Sequence, residues 1–140
     1  MSGAGDVVRV GTAVLSLDAV VAEIGHGGPA ESDPEAGALV TFSGIVREME
    51  GDRAIPRLDY EHYAGMAEQE MAALVAEARR RWPLRRVALV HRVGAVPVGQ
   101  ASVIVAVSAG HRVESFAAAR FLIDELKKSV PIWKMTPPTE

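Results

Sequence analysis

The chain has 140 residues, enough for one domain with a single sizeable core, and 49% of them are hydrophobic. Its net charge of -3 argues against a protein whose whole surface binds nucleic acid, although a local basic pocket is compatible with it. The sequence contains no cysteine, which excludes disulfides, thiol nucleophiles, thiolate metal sites and a persulfide carried by this chain.

Residues 1–6 lack the basic start and apolar core of a signal peptide. No apolar run reaches the ~20 residues that a membrane-spanning helix needs. We therefore expect a cytoplasmic protein that does not contact membranes.

The N-terminal part of the chain predicts two strands around a short helix. Residues 7–14 alternate weakly and indicate a strand, and Ser16 or Asp18 is a suitable N-cap for the helix that follows. Residues 25–35 are rich in turn-forming residues and predict a loop. Residues 37–46 indicate a strongly apolar strand, and residues 48–53 are polar and expected to be mobile.

The C-terminal part predicts three strands and two long helices. Leu58, Tyr60 and His62 alternate with polar neighbours, which indicates a half-exposed strand over residues 57–63. Apolar residues at helical spacing predict a helix over residues 66–82, which Pro83 ends. Two further strands, at 87–93 and 102–108, are predicted to form a hairpin through a turn region at 94–100. Residues 111–129 predict the second long helix, and an extended, proline-rich tail follows it.

This succession of elements predicts the fold class. Strands grouped in hairpins with two main helices packed against them indicate an α+β domain with an antiparallel sheet, rather than a doubly wound fold. The sequence contains no internal repeat and no domain boundary. We therefore expect one domain over residues 1–140, with flexible ends at 1–6 and 135–140.

The familiar signatures of enzymes are absent from the sequence. It has no phosphate-binding loop, dinucleotide fingerprint, HExxH zinc motif or nucleophile elbow. Its four histidines lack metal-ligand spacing, so no metal site is expected. Cations at the ends of the predicted elements are the candidate functional residues instead, because pockets are readily built there.

Two positions of this kind suggest anion binding. Arg47 directly follows an apolar strand, where it is either a solvated strand-end residue or part of a pocket. His111 and Arg112 lie at a strand-to-helix junction, and a helix N-terminus attracts phosphate or carboxylate. Because cations are unfavourable at that end of the helix dipole, the pair suggests an external anion. The alternative is a histidine cap beside an arginine that extends into water.

Three lysines lie at or just beyond the end of the second long helix. Lys127 and Lys128 complement the negative end of its dipole, and Lys128 also has Asp124 at ion-pair spacing, so Lys127 is the less explained of the two. Lys134 follows Trp133 in a segment whose proline and large aromatic would fix the backbone. A lysine that is desolvated or crowded by other cations can act as a nucleophile or proton carrier near neutral pH. The residues alone support an anion-binding pocket with one or two reactive lysines.

Four segments of the chain, taken in order, form a recognisable pattern. They are Gly37-Ala38 with Phe42-Ser43-Gly44-Ile45-Val46-Arg47; Leu58-Asp59-Tyr60-Glu61-His62-Tyr63 with Met66-Ala67; Glu77-Ala78 and Trp82 with His91-Arg92-Val93-Gly94 and Val98-Gly99; and Ser108-Ala109-Gly110-His111-Arg112 with Phe116, Asp124, Leu126-Lys127 and Pro131-Ile132-Trp133-Lys134. Together they span roughly 70% of the chain. In this order they resemble the large, catalytic subunit family of molybdopterin synthase.

The resemblance implies an α/β-hammerhead fold and a homodimer that binds one small ubiquitin-like sulfur-carrier subunit at each end, giving a heterotetramer. The C-terminal Gly-Gly thiocarboxylate of the small subunit would donate sulfur to cyclic pyranopterin monophosphate. Two transfers would yield molybdopterin, with no permanently bound cofactor. Lys127 would assist the attack and Lys134 would stabilise negative charge. The substrate-binding residues that the resemblance implies are Ile45, Val46, Arg47, His111, Arg112, Met135 and Thr136.

One departure from the family pattern concerns the tail. Relatives continue past the Trp-Lys pair with charged residues, then a glycine and a Trp-Val tail, whereas this chain continues as Met135-Thr136-Pro137-Pro138. Two alternatives to the enzyme are a non-catalytic anion-binding or assembly module with the same fold, and a phosphate-ester hydrolase, for which the sequence offers no nucleophile or paired acid and base.

Overall fold

The computed structural model describes residues 6–26 and 33–137. Its elements, in chain order, are β1 (Asp6–Gly11), α1 (Leu17–Glu23), β2 (Ala38–Ile45), β3 (Met49–Glu50), β4 (Arg53–Ala54), β5 (Arg57–His62), α2 (Met66–Arg81), β6 (Leu84–Arg92), β7 (Gly94–Pro97), β8 (Ala101–Ala109), α3 (Arg112–Ser129) and β9 (Ile132–Met135). Within the described part of the chain, no helix is long and apolar enough to cross a membrane.

The main sheet has four strands in the order β1-β6-β8-β2. β6 and β8 pair antiparallel, as the predicted hairpin requires, and β2 pairs antiparallel with the other edge of β8. β1 instead runs parallel to β6, which is possible because a long crossover containing α1 and α2 separates them. The α+β class is confirmed, but the sheet is mixed rather than wholly antiparallel.

Helices cover both faces of this sheet. β6 and β8 are buried along nearly their whole length, and successive side chains of a strand point to opposite faces. On one face Leu89 packs with Leu122 of α3 in the larger core, to which α2 also contributes. On the other face Ile104 packs with Val20 of α1. Burial on both sides explains why these two strands are continuous apolar runs in the sequence.

A second sheet has three strands in the order β7-β5-β9. The region at 94–100, predicted as a turn, therefore contains a strand that leaves the β6–β8 connection to pair with β5. The extended tail predicted after the last helix is confirmed as β9, which pairs with the other edge of β5. Leu58 and Val96 are buried with Val46 and Ile55 in a small core of their own.

The prediction that residues 48–53 are mobile is wrong. These residues contain most of a two-stranded ribbon formed by β3 and β4. The ribbon holds the C-terminal segment through side chains. Glu50 Oε2 lies 3.1 Å from Lys134 Nζ, and the Arg53 guanidinium donates a hydrogen bond to the carbonyl of Pro137. Both partners are distant in sequence, so the polar composition of the ribbon did not reveal them.

Parts of the predicted flexible ends and loop are ordered by contacts. Asp6 belongs to β1 and pairs with Arg79 of α2 at 2.6 Å, and Met135 belongs to β9. In the predicted loop at 25–35, Asp33 is held by Arg85 at 2.8 Å. Residues 1–5, 27–32 and 138–140 lie outside the described part of the chain, so the predictions for them stay untested.

Gly37 is the point where the start of β2 passes closest to the start of α3. A Cβ at Gly37 would overlap the carbonyl oxygen of Gly110, which is backbone and cannot rotate away. We expect Gly37→Ala to lower the free energy of unfolding by about 1–3 kcal/mol, measured by urea denaturation. Gly11→Ala is the matched control, because a Cβ there meets no atom within 4 Å, and it should change stability by less than about 0.5 kcal/mol. Equal midpoints for the two variants would contradict the close approach.

Candidate active site

A cavity of about 320 Å³ lies where the last turn of α3 meets both sheets. The central strands β6 and β8 form its floor, and β5, β9 and α3 form its walls and rim. The lining residues are Tyr60, His91, Ser102, Val103, Leu126, Lys127, Ile132, Trp133 and Lys134. The two lysines singled out from the sequence therefore share one cavity, although one lies on a helix and the other on a strand.

Lys127 projects into this cavity without a carboxylate partner among the described residues. Its neighbours on α3 are paired: Lys128 with Glu125 at 3.2 Å, and Arg120 with Asp124 at 3.4 Å. Lys128 thus uses Glu125 rather than the Asp124 that its spacing suggested. The ammonium of Lys127 remains available to an anionic ligand.

Lys134 is held at the cavity rim by the second sheet and by the β3–β4 ribbon. It lies opposite Tyr60 in the β5–β9 pair, and its Nζ forms the ion pair with Glu50. The side chain of Lys134 is 51% exposed, and an ion pair this exposed contributes at most about 1 kcal/mol. An anionic ligand can therefore compete with Glu50 for this lysine at little cost.

His91, together with Ser102 and Val103, forms the floor of the cavity, and all three residues are buried. Only 5% of His91 is exposed; its Nδ1 lies 2.7 Å from the carbonyl oxygen of Arg92, and its ring packs edge-on against Tyr60 at 5.2 Å between centroids. Burial lowers the pKa of His91 to about 4; the nearby charges of Lys127 and His62 act in the same direction, and the hydrogen bond to the Arg92 carbonyl opposes them. The imidazole is therefore neutral at neutral pH.

This buried histidine should make folding stability depend on pH. The folded pKa of about 4 lies below the unfolded value near 6.5, so between these values the unfolded chain binds more protons. The contribution of His91 to stability is complete above pH ~6.5 and falls as the pH drops through ~4, by about 3 kcal/mol in total. Urea denaturation of wild type and His91→Asn across this range measures it. An equal pH slope in both proteins would show that His91 does not titrate in this way.

His111 and Arg112 line a different depression, of about 500 Å³, at the start of α3. His111 is the N-cap residue, but its side chain makes no capping hydrogen bond, so the alternative of a histidine cap does not describe it. Both side chains are exposed. At a rise of ~1.5 Å per residue, the 15 residue steps of α3 from Arg112 to Lys127 span roughly 23 Å. Within one chain, the two cation groups therefore line separate cavities.

The remaining residues that the resemblance assigned to substrate do not line the lysine cavity. Val46 is 3% exposed and packs in the small core with Ile55 and Leu58, and the substrate role that the resemblance implies for it stays a prediction. Ile45 and Arg47 on either side of it are exposed, as are Met135 and Thr136 at the end of β9.

Several residues of the site were not singled out from the sequence. Tyr60 and Trp133 line the cavity and belong to segments that carry the resemblance, but the sequence gives neither of them a role in the site, and Ser102 is predicted only as part of a strand. His91 also belongs to one of these segments, and its titratable side chain at the end of an apolar strand is a further usable signal. Glu50 had none, since its partner lies on the distant strand β9.

Residues 10–129 match the family model described as MoaE protein. Over 103 residues the chain is 48% identical to the molybdopterin synthase catalytic subunit of Arabidopsis thaliana; the match covers 74% of this chain and 52% of that protein, so the chain spans about half the length of this relative. It is 39% identical over 129 residues to the Bos taurus protein of the same name, with 92% and 65% covered. This chain also resembles the crystal structure of molybdopterin synthase from Staphylococcus aureus, with a TM-score of 0.80 and 29% sequence identity. The match covers 98% of this chain and 92% of that chain.

Proposed function

The chain belongs to the MoaE protein family, and from this we propose that it is the catalytic subunit of a molybdopterin synthase. In the proposed reaction, a small ubiquitin-like subunit carries sulfur as a C-terminal Gly-Gly thiocarboxylate. The sulfur passes to cyclic pyranopterin monophosphate, and two transfers give molybdopterin. The single observation that carries the proposal is the convergence of Lys127 and Lys134 on one cavity.

Two ammonium groups in one cavity suit this chemistry. The thiocarboxylate donor and the monophosphate of the acceptor are both anionic, and negative charge develops further when sulfur attacks the acceptor carbon. Lys127, which has no described carboxylate partner, is assigned to assist the attack, and Lys134 to stabilise the developing charge. A fixed cation of this kind typically lowers a barrier by ~3 kcal/mol.

The donor sulfur arrives on the partner subunit, which agrees with a chain that has no cysteine. Cyclic pyranopterin monophosphate is a substrate in this scheme, and no permanently bound cofactor is needed. A cytoplasmic location, where the small sulfur-carrier subunit and the acceptor would meet this chain, is part of the proposal.

A second copy of the chain would complete the site. His111 and Arg112 lie too far from the lysines of their own chain to hold the phosphate or pterin edge of a substrate bound there. In the proposed homodimer, they act instead on the substrate in the lysine cavity of the other protomer. A closed two-fold dimer would create two such shared sites.

Reconstitution tests the proposed function. The protein is mixed with thiocarboxylated small subunit and cyclic pyranopterin monophosphate, and molybdopterin is measured as its oxidised fluorescent derivative. We expect product with the thiocarboxylate, and none with a matched small subunit that ends in a plain carboxylate and so carries no transferable sulfur. A stable complex that forms no product would reject catalysis and leave the non-catalytic anion-binding or assembly module.

A further inference from the structure

The cavity floor contains a hydrogen-bonding group that the proposed chemistry of the lysines does not use. His91 Nδ1 lies 2.7 Å from the carbonyl oxygen of Arg92. Because a carbonyl oxygen can only accept, Nδ1 must carry the proton, and Nε2 must present a lone pair. Nε2 makes no hydrogen bond to any residue of the described part of the chain.

This unpaired acceptor belongs to a side chain that is 95% buried and lines the cavity. Nε2 itself is not one of the fully buried unpaired atoms, so it is reached from the cavity. A ligand that excludes water from the cavity must therefore supply the donor that Nε2 would otherwise lack. The edge-on contact with Tyr60 and the Nδ1 hydrogen bond hold the ring in place, so its acceptor has a defined direction.

The groups around His91 determine which ligand chemistry fits. Lys127 faces the cavity from α3 and Lys134 from β9, Tyr60 and His62 belong to β5, and Ser102 lies beside it on β8. Positive charge is therefore concentrated at the rim, whereas the floor offers neutral groups. The cavity suits a molecule whose anionic end meets the lysines and whose neutral, donor-bearing edge reaches the floor.

We propose that His91 is a further substrate-binding residue, whose neutral Nε2 accepts a hydrogen bond from an N–H or O–H group of the sulfur acceptor. This inference rests on the proposed function and deepens it, because it assigns recognition of the acceptor's neutral edge to the floor. An analogue without a donor at that position would leave Nε2 unpaired and would bind more weakly.

Two amide variants separate this role from a purely structural one. In His91→Gln the side-chain amide reaches about as far as Nε2 and can offer an acceptor to the cavity. In His91→Asn the shorter amide reaches about as far as Nδ1 and can keep only the contact with the Arg92 carbonyl. If His91 has only a structural role, the asparagine variant should bind the acceptor more like wild type. If His91 binds the acceptor, the glutamine variant should do so.

The binding measurement uses the complex with a small subunit that ends in a plain carboxylate, so that no turnover occurs. Isothermal titration with cyclic pyranopterin monophosphate should give a Kd about tenfold or more above wild type for His91→Asn, and within about threefold of wild type for His91→Gln. Melting temperatures of both variants report any loss of the Nδ1 contact separately. If His91→Asn binds as tightly as His91→Gln, the proposal is overturned.

Nitrogen NMR of histidine-labelled wild-type protein in the same complex gives a second readout. On titration with the acceptor, the Nε2 resonance of His91 should shift as it accepts a hydrogen bond, while Nδ1 stays protonated. An unchanged Nε2 resonance at saturation overturns the proposal. Neither experiment requires product, so a failure of the proposed catalysis, seen as no molybdopterin from wild type, is distinguishable from a failure of this inference.

Discussion

Lys127→Ala should lower the rate of molybdopterin formation by about 100- to 1000-fold and leave the fold intact. The loss follows from removing a fixed cation next to developing negative charge, which typically contributes ~3 kcal/mol to lowering a barrier. Stability should change by less than about 1 kcal/mol, because the exposed ammonium has no described ion-pair partner and complements only the end of the α3 dipole. Single-turnover rates with saturating small subunit, together with melting temperatures, measure both effects.

Lys128→Ala is the matched control for this prediction. Lys128 is the next residue on the same helix and loses a comparable charge, but it pairs with Glu125 and does not line the cavity. Its turnover should remain within about twofold of wild type, because exposed ion pairs contribute little. Near-normal turnover in Lys127→Ala would show that the Lys127 ammonium does not assist the attack.

The second large effect is a recovery of activity when two inactive variants are mixed. Lys127→Ala and Arg112→Ala should each be strongly impaired alone. If each site combines the lysine cavity of one protomer with Arg112 of the other, a mixed dimer contains one intact site. After random reassortment, the mixture should regain about a quarter of wild-type activity, since half of the dimers are mixed and each has one working site.

The control for mixing is the pair Lys127→Ala and Lys134→Ala. These two lysines line the same cavity of one chain, so every site in a mixed dimer lacks one of them. That mixture should stay inactive under conditions that restore the first pair. Persistent inactivity of the Lys127→Ala and Arg112→Ala mixture, with subunit exchange confirmed by mass spectrometry, would contradict a site shared between protomers.

Elements specified by local sequence agreed closely with the structure. The helix predicted over residues 66–82 is observed as Met66–Arg81, and that over 111–129 as Arg112–Ser129. The C-terminal ends of both helices depend on a nearby proline, Pro83 or Pro131, that prevents the helix from continuing. The antiparallel β6–β8 pair was likewise predictable, because both strands are strongly apolar and only a short segment separates them in the sequence.

Elements that depend on distant partners could not be predicted in the same way. The ribbon around Glu50 is polar and short, so its composition indicated a mobile loop; its order comes from contacts with Lys134 and Pro137. The sequence predicts a turn where the structure has β7, because the pairing partner β5 is distant in the chain: α2 and β6 lie between the two strands. The backbone hydrogen bonds of a strand are made with another segment of the chain, and the hydrophobic pattern of one strand does not identify its partner.

The sequence by itself determined the class of fold, the two long helices, the absence of a thiol, and Lys127 and Lys134 as the residues to examine. Only the tertiary structure decided that these lysines share a cavity, that Glu50 pairs with one of them, and that His91 lies on its floor with an Nε2 that no described residue pairs with. It also decided that His111 and Arg112 are remote from that cavity in one chain. The physical reason is range: helix periodicity, capping and chain termination act over a few residues, whereas a cavity is formed by side chains that only the packing of separate elements brings together.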